Sequence, residues 1–521
     1  RLNQLPQPPI LDEVHGQAPP RIGSLGSLAL AISLLLGSGP TSAEIAADTL
    51  PQQGQVVAGQ AVISQHDAEM QIQQSSEKAI INWEQFNIGK QARVEFQQPG
   101  PQAVALNRVL SDDASQVYGH LQANGQVYLI NPNGVLFAPG SRVDVGGLTA
   151  STLNLTDQNF LNGHLQFERN AASGTITNQG EIKVTEGGQL VLLGATVSNQ
   201  GVLVAQKGDV VLAGGDQVTL KAGANGHLQI AVDPATINSL IENKQLIQAD
   251  GGQVIMTSQA ANAIYSNVVS NTGIIQARSI GEQQGHVLLK ADEKNGEVQI
   301  GGLIDVSGQQ LAGQVQVSGH TVKQTGEIRA NSAEAVGGQI KVLGSEIQLQ
   351  ANSQILAEGA SGGGVVQIGA LKDNALNEVQ ADHISLAETA SISVDATQNG
   401  NAGRITIIAD LNKPHSETQI KGNLSARGGG LGGNGGFIET SAAILGVSST
   451  SRVRASASRG KSGEWLLDPA DVTISSTDLN YTNSSGTYTP DSGVGTVTVN
   501  TSTLTAALNA GTSITITTTN T

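Results

Sequence analysis

Apolar and polar residues alternate with a two-residue period in short runs along most of the chain, and the runs recur. In "GLIDVSGQQLAGQVQVSG", "GEIRANSAEAVGGQIKVLG" and "SQILAEGASGGGVVQIGA", an isoleucine (Ile304, Ile328, Ile355) is followed two places on by Val306, Ala330 or Ala357. A Gly-rich turn comes next, then a second alternating run: Val315 and Val317, Ile340 and Val342, Val366 and Ile368. The leading isoleucines are 24 and 27 residues apart, and looser copies follow around Ile392 and Leu424. Earlier, "SGTITNQGEIKV" and "TVSNQGVLVA" place Asn178-Gln179-Gly180 and Asn199-Gln200-Gly201 at a step of 21 residues. Alternation over so few residues predicts short strands, with no room for a helix between them. One such strand cannot bury its apolar face alone, whereas copies stacked in register share a continuous core. The pattern therefore predicts an all-β fold, a right-handed parallel β-helix with an N-terminal cap. At about 22 residues per coil, residues 44–521 would form on the order of twenty coils, with a length near 100 Å at roughly 4.8 Å per coil. The period stretches at Lys372-Asp373-Asn374 and at Asn412-Lys413-Pro414-His415, where loops are expected to leave the stack. A β-propeller fits less well, because its blades of about 40 residues carry aromatic signatures missing here.

Aromatic residues are scarce but clustered. Trp83, Phe86, Phe96, Tyr118, Tyr128, Phe137, Phe160 and Phe167 make up most of the Phe, Tyr and Trp in the chain. Large rings bury the most area per residue, and the open end of a solenoid needs covering. Residues 44–175 are thus expected to form the cap and first coils, residues 176–470 the repeat shaft, and the Ser/Thr-rich residues 471–521 a less regular continuation. Before the cap, Arg21 precedes the apolar stretch Leu25 to Gly37, and the small residues Thr41-Ser42-Ala43 follow. That order predicts a secretory signal over residues 1–43.

Charge and composition narrow the chemistry. A formal charge of −16 and a pI near 4.9 repel a phosphate backbone, so no nucleic-acid partner is expected. With no cysteine, disulfides, thiolate metal sites and Cys nucleophiles are excluded. Histidines such as His66 and His120 lack partners at metal-ligand spacing. Asp112-Asp113 are adjacent, so on a strand they would face opposite ways; they are expected in a solvated turn. The glycine run Gly429 to Gly436 is expected to be a solenoid turn, since no strand-to-helix unit surrounds it. No catalytic residue, metal or cofactor is assigned, and an enzyme is not expected.

One turn stands apart. Asn131-Pro132-Asn133-Gly134 separates the apolar runs Val127 to Ile130 and Val135 to Phe137. Pro132 fixes φ at the second turn position, and Asn133 and Gly134 tolerate left-handed geometry, so the chain reverses or corners sharply here. This turn lies in a stretch, roughly Ile63 to Leu155, that resembles the secretion domain of two-partner-secretion exoproteins, the family of filamentous haemagglutinin and the high-molecular-weight adhesins. The shared elements are Asn82-Trp83 with Phe86-Asn87, Asn107-Arg108, Gly119, the Asn131 to Gly134 turn, and Gly147-Leu148-Thr149-Ala150-Ser151. Gly463-Glu464-Trp465-Leu466-Leu467-Asp468-Pro469 also resembles a stretch found further along in such exoproteins. The resemblance implies a dedicated outer-membrane transporter barrel with periplasmic binding domains, through which the chain passes unfolded. It implies turn and transporter-recognition roles for Asn107, Asn131, Pro132, Asn133 and Gly134. The filamentous-haemagglutinin branch often carries Asn-Pro-Asn-Leu, and Gly134 departs from it towards the adhesin and haem-acquisition branch. The expected product is a secreted or surface-held monomer whose shaft adheres to host cells, surfaces or biofilm matrix through a glycan or protein ligand. The alternatives are capture of a host haem carrier, through loops near Lys372 to Asn377 or Lys413 to His415, and a β-helix enzyme acting on polysaccharide.

Overall fold

Met70, Val94, Leu121, Val143, Ile182, Leu203 and Ile247 lie directly over one another in consecutive strands. The same column continues through Ile275, Ile304, Ile328, Ile355, Ile392, Leu424 and Val453. All but Met70 are almost wholly buried. The isoleucines that mark the sequence repeat are therefore rungs of one inward ladder. β-Branched side chains suit such a position, because their stiff χ1 loses little on packing against a pleated surface.

The structure, a computed structural model, describes residues 45–518 apart from 171, 173, 224–225, 371–377, 470–471, 478–480, 485–486 and 491–497. Among the described residues, three long sheets of 16, 14 and 15 strands enclose the core. Each coil gives one strand to each sheet, as Gln126–Ile130 to the first, Val135–Phe137 to the second and Arg142–Val145 to the third. Coil-to-coil pairing is parallel, which makes the fold a parallel β-helix. At the N-terminal end the direction reverses. Gln55–Ala58 pairs antiparallel with Lys78–Trp83, and Ala61–His66 with Glu69–Gln74, so two antiparallel strands close the stack. The residue before most first-sheet strands is glycine because coils touch there backbone to backbone. A Cβ at Gly188, Gly208, Gly364, Gly403 or Gly436 would overlap the carbonyl oxygen of the glycine one coil below.

The early coils also carry an outer layer. Helix α1 (Asp157–Asn162) starts at Thr156, whose side chain accepts from Asn159 N, and ends at Gly163 with φ +75°. Strands Leu165–Glu168, Gln217–Ala222 and Leu228–Asp233 form a small antiparallel sheet of their own. This layer lies on the outer face of the first sheet. Phe160, Phe167, Val218, Leu220 and Leu228 pack there against Ile80, Leu106, Tyr128, Val191, Val211 and Ile255 in a second core. The aromatic head thus divides: Trp83, Phe86, Phe96 and Phe137 fill the inner core, while Tyr128, Phe160 and Phe167 fill the outer one.

Residues spent on this layer and on other excursions reduce the number of coils. Leu148 pairs with Leu190 and Val210 with Val254, so a single turn consumes twice the usual length there. The first sheet's 16 strands span roughly 70 Å at about 4.8 Å each, rather than the twenty coils and 100 Å that the spacing suggested. The Ser/Thr-rich tail continues the stack less regularly than the shaft. It holds helix α2 (Thr501–Asn509), capped by Asn500, and its strand Ser513–Ile516 extends the first sheet over Glu464–Pro469. Trp465 of that stretch is buried and donates to Thr440 Oγ1 at 3.1 Å. Residues 412–415 form an exposed turn, as expected. The loop expected at Lys372 to Asn377 lies outside the described residues.

Candidate transporter-recognition site

The Asn131 to Gly134 turn is a corner, carrying the chain from the first sheet to the second. Asn131 is fully buried. Its Nδ2 donates to Asp113 O at 2.9 Å and Ser115 Oγ at 3.0 Å, and its Oδ1 accepts from Asn133 N at 3.0 Å. Asn133 Nδ2 donates to Ser111 O at 3.0 Å, and Pro132 O accepts from Gly174 N at 2.9 Å. The corner therefore ties residues 111–115 of the coil below to residue 174 of the coil above. Of its four residues only Gly134 has a positive φ, +119°, and a Cβ there would lie 2.9 Å from Thr175 O. A side chain such as the Leu of the Asn-Pro-Asn-Leu form would push against the next coil. Asn133, expected to tolerate left-handed geometry, keeps a negative φ and contributes its side-chain amide instead.

Asn107 and Arg108 face opposite sides of one strand. Asn107 replaces an aliphatic rung inside the stack, between Ile81 and Leu129. It is fully buried, accepts from Trp83 Nε1 at 3.0 Å, and donates to Ala105 O at 3.2 Å and Tyr128 O at 3.3 Å. Arg108 points outward and holds the cover in place, with Nη1 2.7 Å from Asp157 Oδ1 and Nη2 2.7 Å from Leu155 O. Lys78 reaches the other end of α1, donating to Phe160 O and Leu161 O at 3.0 and 2.8 Å. A cation there complements the helix C-terminus. Tyr128 lies beneath this layer, and burial pushes its phenol up to about 12 against a hydrogen bond to Thr149. Gly147 to Ser151 is buried at every position because its strand is covered on both faces.

Asn107 and the turn are thus brought into one region but not onto one exposed patch. Only Pro132 and Asn133 of the five residues are part-exposed. Sequence reasoning did not identify a further polar set. Asn178, Asn199, Asn243 and Asn271 stack in register at the corner between the second and third sheets. All four are fully buried; the Nδ2 of each of the first three donates to the Oδ1 of the next at 2.8 Å, and Asn271 Nδ2 donates to Leu303 O at 3.3 Å. The signal was the Asn-Gln-Gly repeat at a 21-residue step: the Asn is the rung, and the glycine fits over the backbone of the previous coil.

Most other titratable groups among the described residues lie apart from this region. His66 pairs with Asp67 at 3.1 Å in solvent, and Asp112 and Asp113 sit in an exposed bend. On the second sheet, Glu346, His383 and Glu417 are in register along a cleft of about 380 Å³. His383 Nε2 is 3.8 Å from Glu346 and Nδ1 is 3.9 Å from Glu417. Burial holds the Glu346 carboxyl above its usual range, despite the pull of His383. Next to His383, Asp382 is held below its usual range: burial alone would raise it, but hydrogen bonds from Lys413 and Ser345 outweigh that. Among the described residues, no helix is long and apolar enough to cross a membrane.

Coils this closely stitched, capped at one end and covered along one face, define an elongated β-helix head. Residues 45–301 match the TPS secretion domain family. Residues 45–301 are the secretion domain of a two-partner-secretion exoprotein, and such exoproteins are secreted across the outer membrane to the cell surface or the extracellular space. Two curated relatives, both heme/hemopexin-binding proteins of Haemophilus influenzae, are 33% identical over 287 residues and 30% identical over 282. Those matches cover 53% and 49% of this chain. The chain spans under a third of each relative's length, 31% and 30%. The crystal structure of the HMW1 secretion domain from Haemophilus influenzae superposes with a TM-score of 0.61 at 28% identity, covering 80% of this chain and all of that one.

Proposed function

We propose that the head of this chain is recognised by a cognate outer-membrane transporter barrel with periplasmic binding domains, and that the exported stack captures a haem-carrying protein. The observation that carries this reading is the TPS match over residues 45–301, supported by curated relatives named for binding heme and hemopexin. Recognition precedes folding. Asn107 and Asn131 are turned into the stack once coils form, so the transporter meets these side chains in the unfolded chain. Outside, each coil pairs with its predecessor and templates its successor, and burial biases movement outward without ATP.

Capture is proposed at the exposed turn 412–415. Lys413 is tied to Asp382 beside the Glu346–His383–Glu417 cleft, so turn and cleft form one polar surface. No enzymatic step is proposed. The test is co-expression with the partner barrel, followed by binding of the secreted chain to immobilised hemopexin with and without haem. Partner-dependent release and hemopexin binding weakened by Lys413→Glu support the reading. Release without the partner removes the export assignment. Release with no hemopexin binding, but attachment to epithelial cells, replaces capture by adhesion.

A further inference from the structure

The two ends of the third sheet are finished differently. Its last strand, Arg452–Arg454, carries two exposed arginines and lies against helix α2. Charge and a covering element are what keep an edge strand from pairing with another chain. Among the described residues, its first strand, Ala61–His66, has neither device along its open edge. From Thr49 to Gln65 the sequence holds no charged residue, in a chain whose formal charge is −16. Val62 is 67% exposed. The strand is also flat. Its pairing with Glu69–Gln74 runs unbroken from Ala61 to His66, whereas the end strand of the first sheet, Gln55–Ala58, is blunted by a register shift between Val56 and Ala58.

Ser75 N donates to Gln60 O at 3.0 Å. Bonded pairs alternate with non-bonded ones along an antiparallel ladder, so Val62, Ser64 and His66 turn their N–H and C=O towards Glu69–Gln74. Ala61, Ile63 and Gln65 turn theirs to the open edge. We propose that this edge pairs with the same edge of a second copy of the chain, antiparallel about a two-fold axis at Ile63. Ile63 then exchanges both bonds with Ile63 of the second copy, and Ala61 and Gln65 exchange theirs with each other's counterparts, about six backbone hydrogen bonds in all. The edge is complementary to itself: His66 and Asp67, at the hairpin tip, fall opposite the uncharged Gln60 and Gly59. An acidic chain repels its own copy over most of its surface, so this uncharged run is where two copies can approach. Ile63 is half-buried and continues the inner column of Phe96 and Ile72, so pairing joins the buried ladders of the two copies end to end. One strand pair covers little area, and the association is therefore weak and concentration-dependent. It joins two heads with the shafts pointing apart, in place of the monomer expected from the sequence, and presents whatever the shaft binds twice on one particle.

The test is sedimentation equilibrium of the exported chain over about 1–200 µM. The weight-average mass should climb towards twice the monomer value. Gln65→Pro removes one outward N–H and none of the hairpin's own bonds, a position where an edge strand accepts proline. Val62→Lys puts a charge on the exposed face of the strand. Both variants should keep the wild-type circular dichroism and stay monomeric throughout. The register also fixes a cross-link. Val62 would oppose Ser64 of the second copy as a non-bonded pair, with Cα atoms about 4.5 Å apart, within reach of a disulfide. The chain has no cysteine, so Val62→Cys/Ser64→Cys should give a covalent dimer on mild oxidation and Val62→Cys alone should not. A wild type that stays monomeric to about 200 µM, a dimer that survives both edge variants, or equal cross-linking of the single and double cysteine variants would overturn the proposal. So would a wild-type monomer that binds the transporter's periplasmic domains through this strand, with that binding lost in Gln65→Pro.

Discussion

Buried amides do at single positions what aliphatic rungs do elsewhere, and they do it with direction. Asn131 makes three side-chain hydrogen bonds across a corner. Asn131→Ala leaves Asp113 O, Ser115 and Asn133 N without that partner, and losing a buried partner costs about 1–3 kcal/mol; urea unfolding should show this loss. Gly134→Leu should destabilise further, through positive φ and the approach to Thr175. In the asparagine ladder, Asn243 accepts from Asn199 and donates to Asn271. Asn243→Ala should therefore destabilise more than Asn178→Ala, because Asn178 is the end rung and accepts from no other asparagine; a pair of melts distinguishes the two. Glu439 behaves differently. Burial lifts its carboxyl above the usual range in spite of Arg404 and Ser441. A carboxyl raised by folding favours the native state when protonated, and that contribution is lost as pH rises through the folded-state value. The melting-temperature gain of Glu439→Gln over wild type should grow between about pH 4 and pH 7; a gain constant across that window contradicts the assignment.

Among the elements, the inner ladders were legible in the sequence and the outer cover was not. Strict alternation, as in "GQVQVSG" and "GQIKVLG", announces a strand with one face in the core and one in water. Residues Leu190 to Leu193, Val210 to Ala213 and Val254 to Met256 break that alternation with continuous apolar runs. Such runs mark strands buried on both faces, and these are the strands under the cover. Counting aromatics located the head but merged two cores, because composition does not say which face a ring leaves from. The Asn131 to Gly134 turn was legible as a corner from Pro132 and Gly134. Its partners Asp113, Ser115 and Gly174 were not, since pairing between coils depends on excursions of irregular length. The outward position filled by Tyr128, Thr149, Val191, Val211, Ile255 and Leu288, apolar but for Thr149, becomes Gln316, Lys341 and Gln367 further along. That change to polar residues falls near residue 301, where the family match ends. Phe167→Ala should cost about 3–5 kcal/mol and act locally. Hydrogen exchange should quicken in residues 153–168 and 217–233, while the ladder from Ile304 to Leu424 stays protected.

At the scale of the molecule, nearly every backbone partner of a coil lies in the coil before or after it, so folding propagates along the stack without closing long loops. The three-coil corner at Asn131 and the packed rings of Trp83 and Phe86, 5.5 Å apart and edge to face, make the N-terminal end the place for that propagation to begin. An export route that threads an unfolded chain and folds it outside requires such a starting point. Export itself tests this most directly. With the cognate barrel co-expressed, the wild-type chain should accumulate in the medium, whereas the Asn131→Ala/Asn133→Ala double variant should remain largely behind the outer membrane. Release of the double variant at the wild-type level and rate would contradict the account.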